Sequence, residues 1–436
     1  MMRYGWRDLP AVLGNPVGRH QLMLGQLHRL WPLTSRLAGA YRRTLIAGTR
    51  VVAVVGSAGK STTTRAVTVA LGNPLHPHIE VNEKALLPSQ VLRIRPGRRH
   101  AVIETAIDAR GQMAAFVRMI RPDVCVVTTI GSAHSDTLGS LDVTLAEKAL
   151  AVQVLPRTGV AVLNRDDSRV ASMAALTRAS VITYGLGPGS DVRAADIVTD
   201  WTNGTRFRVH CDGRTWDASS SALGPGAVYS TLAAVAVAHA EGIAVEDALG
   251  RLAALPPPAG RMEVVHLESG AILLDDTSHS TLESIHGALD FLERIPAVRK
   301  VVVLGDPHYV AGKVREIYRQ IGARVGEVSA RAILVNGSGD IAQCYRSGAA
   351  HAGLARDRIT VAIRDVPRAI EILRSELADG DVVLIQGRGY QRLDRIALAL
   401  AGRTVRCDLP VCRVPALECT TCSMLERGWQ LRRPVF

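Results

Sequence analysis

The stretch "VVAVVGSAGKSTTTRAV", residues 51–67, decides how the rest of the chain is read. Its first half is a β-branched apolar run, the signature of a buried strand, and its second half has the polar and apolar spacing of a helix. Between them lies a turn with Gly56 and Gly59, followed by Lys60, Ser61 and Thr62. A strand, a glycine turn and a helix start bring backbone N–H groups and a positive dipole end to one point, which suits phosphate. The longer phosphate-loop pattern has a further glycine five residues before Gly59, and this chain has Val54 there. A glycine turn capped by serine is the plainer alternative. Lysine plus hydroxyl behind the turn favours nucleotide, with Gly56, Ser57, Ala58 and Gly59 cradling phosphate, Lys60 reaching the β and γ phosphates, and Ser61 or Thr62 facing Mg²⁺.

Outward from this point the chain alternates. "HAVIET", "DVCVVTTI" and "GVAVLN" read as buried strands, with "SLDVTLAEKALAVQVL" a helix among them. "TRFRVHCDGRTWDAS" reads as an antiparallel stretch, and "YSTLAAVAVAHAEG" as an alanine-rich helix. "LPPPAGR" then interrupts the chain, because three successive prolines cannot continue a helix. Beyond it the rhythm restarts with "AILLDD", "RKVVVLGD", "ARAILVNG" and "GDVVLIQGRG", strands that end in Gly or Asp. The expected class is α/β: a P-loop domain with a mainly parallel sheet over 49–258, and a Rossmann-like α/β domain over 259–403. Residues 1–48 read as a helical extension with a short helix on each side of Pro32, docked on the body or lying on a membrane surface, and 404–436 as a cysteine-rich tail.

The composition bounds the function. A chain of 436 residues can hold two or three cores, and its apolar content excludes a disordered or fibrous class. The net charge of +12 comes largely from dispersed arginine, which favours anionic ligands such as ATP or carboxylates. No nucleic-acid-binding signature accompanies it. No apolar run is long enough to span a bilayer and no secretory signal opens the chain, so a cytoplasmic protein is expected. Cys125, Cys211 and Cys344 are isolated and read as buried, inert thiols.

The motifs together resemble the Mur ligases. "GSAGKSTTT" is similar to that family's short phosphate loop, Gly-x-x-Gly-Lys-Ser/Thr-Thr, which dispenses with the earlier glycine. "ETAIDARGQM" resembles the segment after the second strand, with Glu104 and Gly111 matching. "RPDVCVVTTIGSAHSDTLGSLDVTLAEKA" resembles the stretch carrying a histidine and then a helical lysine. "GRMEVV" and "LLDDTSHSTLES" resemble the linker arginine and an Asp-Tyr-Ala-His segment, and the likeness runs from about residue 49 to 400. The resemblance implies an ATP-dependent acid:amine ligase, closest to the D-alanyl-D-alanine-adding branch, that activates a carboxylate as an acyl phosphate and releases ADP and phosphate. It implies Glu104 and His134 as ligands of Mg²⁺, and Lys148 as a lysine carried as a carbamate made from CO₂. Arg261 would meet ATP phosphates and Asp276 the ribose. His279 and Arg388 would face substrate, arginine being suited to a carboxylate.

Departures from the family set further expectations. Only about fifty residues precede the loop, so an acid other than the UDP-linked muramyl peptide is expected, lipid-linked or outside peptidoglycan. Ser230 stands where the family has an asparagine against adenine. A folylpolyglutamate or poly-γ-glutamate type ligase, and a nucleotide-binding scaffold without turnover, are the competing readings. In the tail, Cys407, Cys412, Cys419 and Cys422 could close a structural zinc site or hold an iron–sulfur cluster, with free or disulfide-bonded cysteines as the alternative.

Overall fold

The computed structural model describes the chain apart from residues 1–8, 15, 77–82, 134, 279, 309, 311, 413, 415–417 and 429–436. It divides into two compact units, residues 26–258, and residues 1–25 with 259–436.

The first unit is built on an eight-stranded sheet: β1 (Arg50–Val55), β2 (His100–Glu104), β3 (Val124–Val127), β4 (Val160–Asn164), β5 (Ser180–Gly185), β6 (Val192–Asp200), β7 (Gly204–Cys211) and β8 (Arg214–Ser220). The order is β2-β1-β3-β4-β5-β6-β7-β8, parallel through β6, with β7 and β8 antiparallel. The uninterrupted apolar runs follow from burial of both faces. Val52, Val54, Val124 and Val126 pack on one side against the helix Pro225–Ala240, through Val228, Leu232 and Val235. Val51, Val55, Cys125 and Val127 alternate to the other side, against Met113, Phe116, Ala149 and Val152. Cys125 is fully buried there, its thiol pushed up to about 12 by desolvation.

The N-terminal segment departs from the two-helix expectation. A single helix, Pro16–Arg43, runs through Pro32. Proline removes one helical donor and crowds the carbonyl four residues back, which bends a helix without necessarily ending it. Here the following turn is held by packing: Ala38 is wholly buried, Trp31 meets Phe116 edge to face at 6.2 Å, and Arg42 donates to Ile120 O, Arg121 O and Asp123.

The second unit holds a six-stranded sheet: β9 (Glu263–His266), β10 (Ile272–Asp276), β11 (Arg299–Leu304), β12 (Arg331–Leu334), β13 (Ile359–Val361) and β14 (Asp381–Gln386). Its order is β13-β12-β11-β14-β10-β9, all parallel except the β9–β10 hairpin. Leu273, Val301, Val303, Ile333, Val383 and Ile385 form its core with Ala369, Leu373 and Ile396.

Candidate active site

In the first unit, the carboxyl ends of β1 to β4 converge, the position where open parallel sheets take ligands. From β1 the chain passes through Gly56–Gly59 into the helix Lys60–Ala70. Gly59 caps that helix in the left-handed region, φ 76°. Gly56 is required for space: a Cβ there would lie 1.8 Å from Thr128 Oγ1. The loop after β3 clasps the turn, with Ser57 N donating to Thr129 O at 2.7 Å, Ala58 N to Thr129 Oγ1 at 3.2 Å, and Thr128 Oγ1 to Ala58 O at 2.6 Å. Lys60 folds back, its Nζ 3.2 Å from Ser57 O. Val54 is an ordinary buried strand residue, so the absent earlier glycine costs the turn nothing.

Lys148 enters the same loop from the helix Leu141–Gln153. Its side chain is buried, and Nζ donates to Ser57 Oγ at 2.8 Å. Ser57 Oγ also accepts from Gly131 N at 2.8 Å and donates to Gly131 O at 3.1 Å. Desolvation, with the charge of Lys60 nearby, holds the Lys148 amine well below the usual lysine range.

Glu104 ends β2 fully buried, in register with Val54 two residues before Gly56. Ser61 is buried in the first turn of the loop's helix. Ser230 lines a small pocket with Thr62, Arg65 and Thr231, while its hydroxyl donates to Ala227 O at 2.9 Å within its own helix. His134 lies outside the described residues. The sequence reading missed the rest of the rim. Asn164 Nδ2 donates to Thr128 O at 2.9 Å, Asp167 Oδ2 accepts from Ile130 N at 2.8 Å, and Asp166 accepts from Tyr229 Oη at 2.8 Å. The polar "NRDD" closing the apolar strand "GVAVLN" was the available signal.

In the second unit Asp275 and Asp276 end β10, both buried. Asp276 accepts from Met262 N at 3.2 Å and Gln386 Nε2 at 2.6 Å; burial raises its carboxyl to about 6, with Arg261 opposing. Asp275 accepts from Thr277 N and Oγ1, and burial raises it to about 7. The Arg388 guanidinium donates to Pro307 O and Tyr390 Oη and lies 5.5 Å from the Tyr390 ring. His279 lies outside the described residues. A hub the sequence reading passed over sits at these strand ends: Asp306 accepts from Asn336 Nδ2 at 3.0 Å, Gly337 N at 3.0 Å and Gln391 Nε2 at 3.3 Å.

In the tail the described residues give the zinc and iron–sulfur expectation no support. Among the described residues no group of three or more His, Cys, Asp or Glu is placed to hold a metal, and Cys407, Cys412, Cys419 and Cys422 are free thiols. Cys422 lies near Cys407 and Cys412, and arginines flank these thiols. Arg395 NH1 donates to Cys407 O at 2.8 Å and approaches its Sγ at 3.6 Å, and Arg392 lies beside Cys412 and Cys419. Burial raises the Cys419 thiol.

Two α/β units, one with a phosphate loop at its strand ends, define a nucleotide-binding enzyme class in which a buried lysine reaches into the loop. Comparison with known proteins gives the family. Residues 54–238 match the Mur ligase middle domain, and residues 260–389 match the Mur ligase glutamate ligase domain. The chain belongs to the Mur ligase family, whose members are ATP-dependent carbon–nitrogen ligases. It is 29% identical to the UDP-N-acetylmuramoyl-tripeptide--D-alanyl-D-alanine ligase of Mycobacterium tuberculosis (strain CDC 1551 / Oshkosh) over 420 residues, covering 90% of this chain and 82% of that protein. The same-named enzyme of Bacillus subtilis (strain 168) is 25% identical, covering 88% and 81%. In fold it is similar to MurF from Acinetobacter baumannii, with a TM-score of 0.74 at 20% identity over 86% of this chain and 81% of that one. It is also similar to MurF ligase from Thermotoga maritima, solved with ADP, with a TM-score of 0.73 at 22% identity over 85% and 83%.

Proposed function

We propose that this ligase joins the terminal carboxylate of a muramoyl peptide to the amino group of a D-alanyl-D-alanine dipeptide. ATP phosphorylates the carboxylate; the dipeptide amine then attacks the acyl carbon, the C–N bond forms, and phosphate leaves. The observation that carries the reading is the buried Lys148 amine 2.8 Å from Ser57 inside the phosphate loop, an arrangement a merely structural turn has no use for. The names of the relatives support the substrate pair.

Gly56 to Lys60 would hold the β and γ phosphates, with the first-turn amides of the following helix oriented toward their charge. Ser61 and the buried Glu104 are hard oxygen donors suited to Mg²⁺, and His134 is the further donor named from sequence. That ion would supply neutralisation of charge on the phosphoryl oxygens. Lys148, its amine shifted well below the usual lysine range by burial and the charge of Lys60, is suited to take up CO₂ as a carbamate, whose anion Lys60 would balance. In the second unit Arg261 and Asp276 are the residues proposed for phosphate and ribose, and Arg388 for a carboxylate of the dipeptide. Ser230 is proposed on the adenine side, and His279 by substrate. The peptide acid is processed inside the cell.

The test offers purified protein ATP, D-alanyl-D-alanine and a muramoyl tripeptide, with and without its UDP group, and measures ADP release. Turnover requiring both acid and dipeptide is expected. Turnover with glutamate in place of the dipeptide transfers the reading to a folylpolyglutamate or poly-γ-glutamate type of ligase. Tight ATP binding with no turnover on any pair leaves a nucleotide-binding scaffold.

A further inference from the structure

From Gln26 onward, the helix Pro16–Arg43 buries one side in the first unit, through Trp31, Ala38 and Tyr41, and turns a second apolar side outward. Leu30, Leu33 and Leu37 are 48%, 56% and 54% exposed, and Leu45, just past the helix, is 64% exposed. With 3.6 residues per turn the three helical leucines fall within about 60° of arc. Arg29, Arg36 and Arg43, spaced by seven, form one row along the adjoining edge, and all are exposed. An ordinary solvated helix face would carry charges of both signs here. Instead the sequence from Leu9 to Ile79 contains no Asp or Glu.

The patch continues onto a neighbouring loop. Tyr41 Oη donates to Ile94 O at 2.7 Å, which ties the segment Leu92–Arg99 to the helix. Leu92 is exposed there, and Arg93, Arg95 and Arg98 rim a pocket whose lining includes Ile94 and Val102. Of the arginines on this helix and loop, Arg42 is the one with an ion pair among the described residues, and it is buried at Asp123.

We infer that this face seats the protein on an anionic phospholipid surface, the leucines entering the headgroup boundary and the two arginine sets meeting lipid phosphates. Leucines flanked by arginines that have no ion pair among the described residues match the requirements of an interfacial helix, apolar area plus attraction to negative lipid. A second copy of the chain is the weaker occupant, because a two-fold contact would set one arginine row against another. No helix among the described residues is long and apolar enough to cross a membrane, so the contact is one of lying on the surface.

The experiment is sedimentation of the full chain with phosphatidylcholine vesicles, with and without phosphatidylglycerol. Binding should need phosphatidylglycerol, weaken as salt rises, and fall about fivefold for each arginine neutralised in the series Arg29→Gln, Arg36→Gln, Arg43→Gln. Replacing Leu30, Leu33 and Leu37 together by Ser should abolish binding while melting temperature and ADP release in solution stay unchanged. Absence of vesicle binding by the unaltered chain at low salt overturns the proposal. So does a dimer in solution that the serine variant converts to monomer.

Discussion

Lys148 pairs a cost in stability with a use. Its folded pKa lies below the unfolded 10.5, so between the two values the unfolded chain holds a proton that the folded chain does not. Stability therefore rises with pH across that window, and at neutral pH the lysine is destabilising. Lys148→Met should raise the melting temperature at pH 7 while ADP release falls by a hundredfold or more, on the order of ~3 kcal/mol of transition-state stabilisation. Lys148→Ala with acetate added should recover part of the rate; unchanged activity in the alanine variant would remove the carbamate from the mechanism. Asp275 runs the other way. Its carboxyl, raised from 3.8 to about 7, contributes stability that is present at low pH and lost as pH rises through 7. Asp275→Asn keeps an acceptor for Thr277, so its melting curve should match the parent below pH 4 and exceed it above pH 7. The carbamate reading of Lys148 asked for burial or a nearby charge, but the residues around the lysine do not by themselves show either. "LAEKALA" reads as a helix with a surface lysine, and only the tertiary placement of that helix against the loop at Ser57 seals the amine from water.

At the scale of elements, the turn at Gly56 was readable because strand, turn and helix carry different chemistry within seventeen residues. What sequence could not supply was the clasp from Thr128 and Thr129, which comes from a strand some seventy residues later and fixes the turn by space as well as by hydrogen bonds. Gly56→Ala should therefore lower both stability, by about 1–3 kcal/mol from overpacking, and ATP affinity. Thr128→Ala in the same chain should restore part of each, because the nearest clashing atom is then gone; calorimetry with ATP and thermal melts read both. The helix Pro16–Arg43 was misread for a related reason. Proline disfavours a helix locally, but Arg42, Ala38 and Trp31 tie the later turns to the sheet unit, and packing outweighs the one lost donor.

For the whole molecule, the central strands of both sheets were legible, since parallel strands covered on both faces must be written as apolar runs, whereas β5, β6, β9 and β13 were not read as strands. The tail was not legible either. Four cysteines suggest a metal from their spacing, whereas the contacts that Arg395 makes to the tail are invisible in the sequence. That buried guanidinium donates to Cys407 O, Leu409 O and Gln391 O, and Arg403 reaches Thr420 O and Glu426. Arg395→Met should strand those carbonyls, lower stability by about 2–4 kcal/mol, and open the segment between Arg403 and Arg427 to trypsin while both sheets stay protected. A tail that remained resistant would assign its order to another source. The sealed amine beside Ser57 has one more consequence. If it must combine with CO₂ before the centre can work, dissolved inorganic carbon becomes the throttle, and degassed buffer should idle a correctly folded, nucleotide-loaded molecule that bicarbonate restarts.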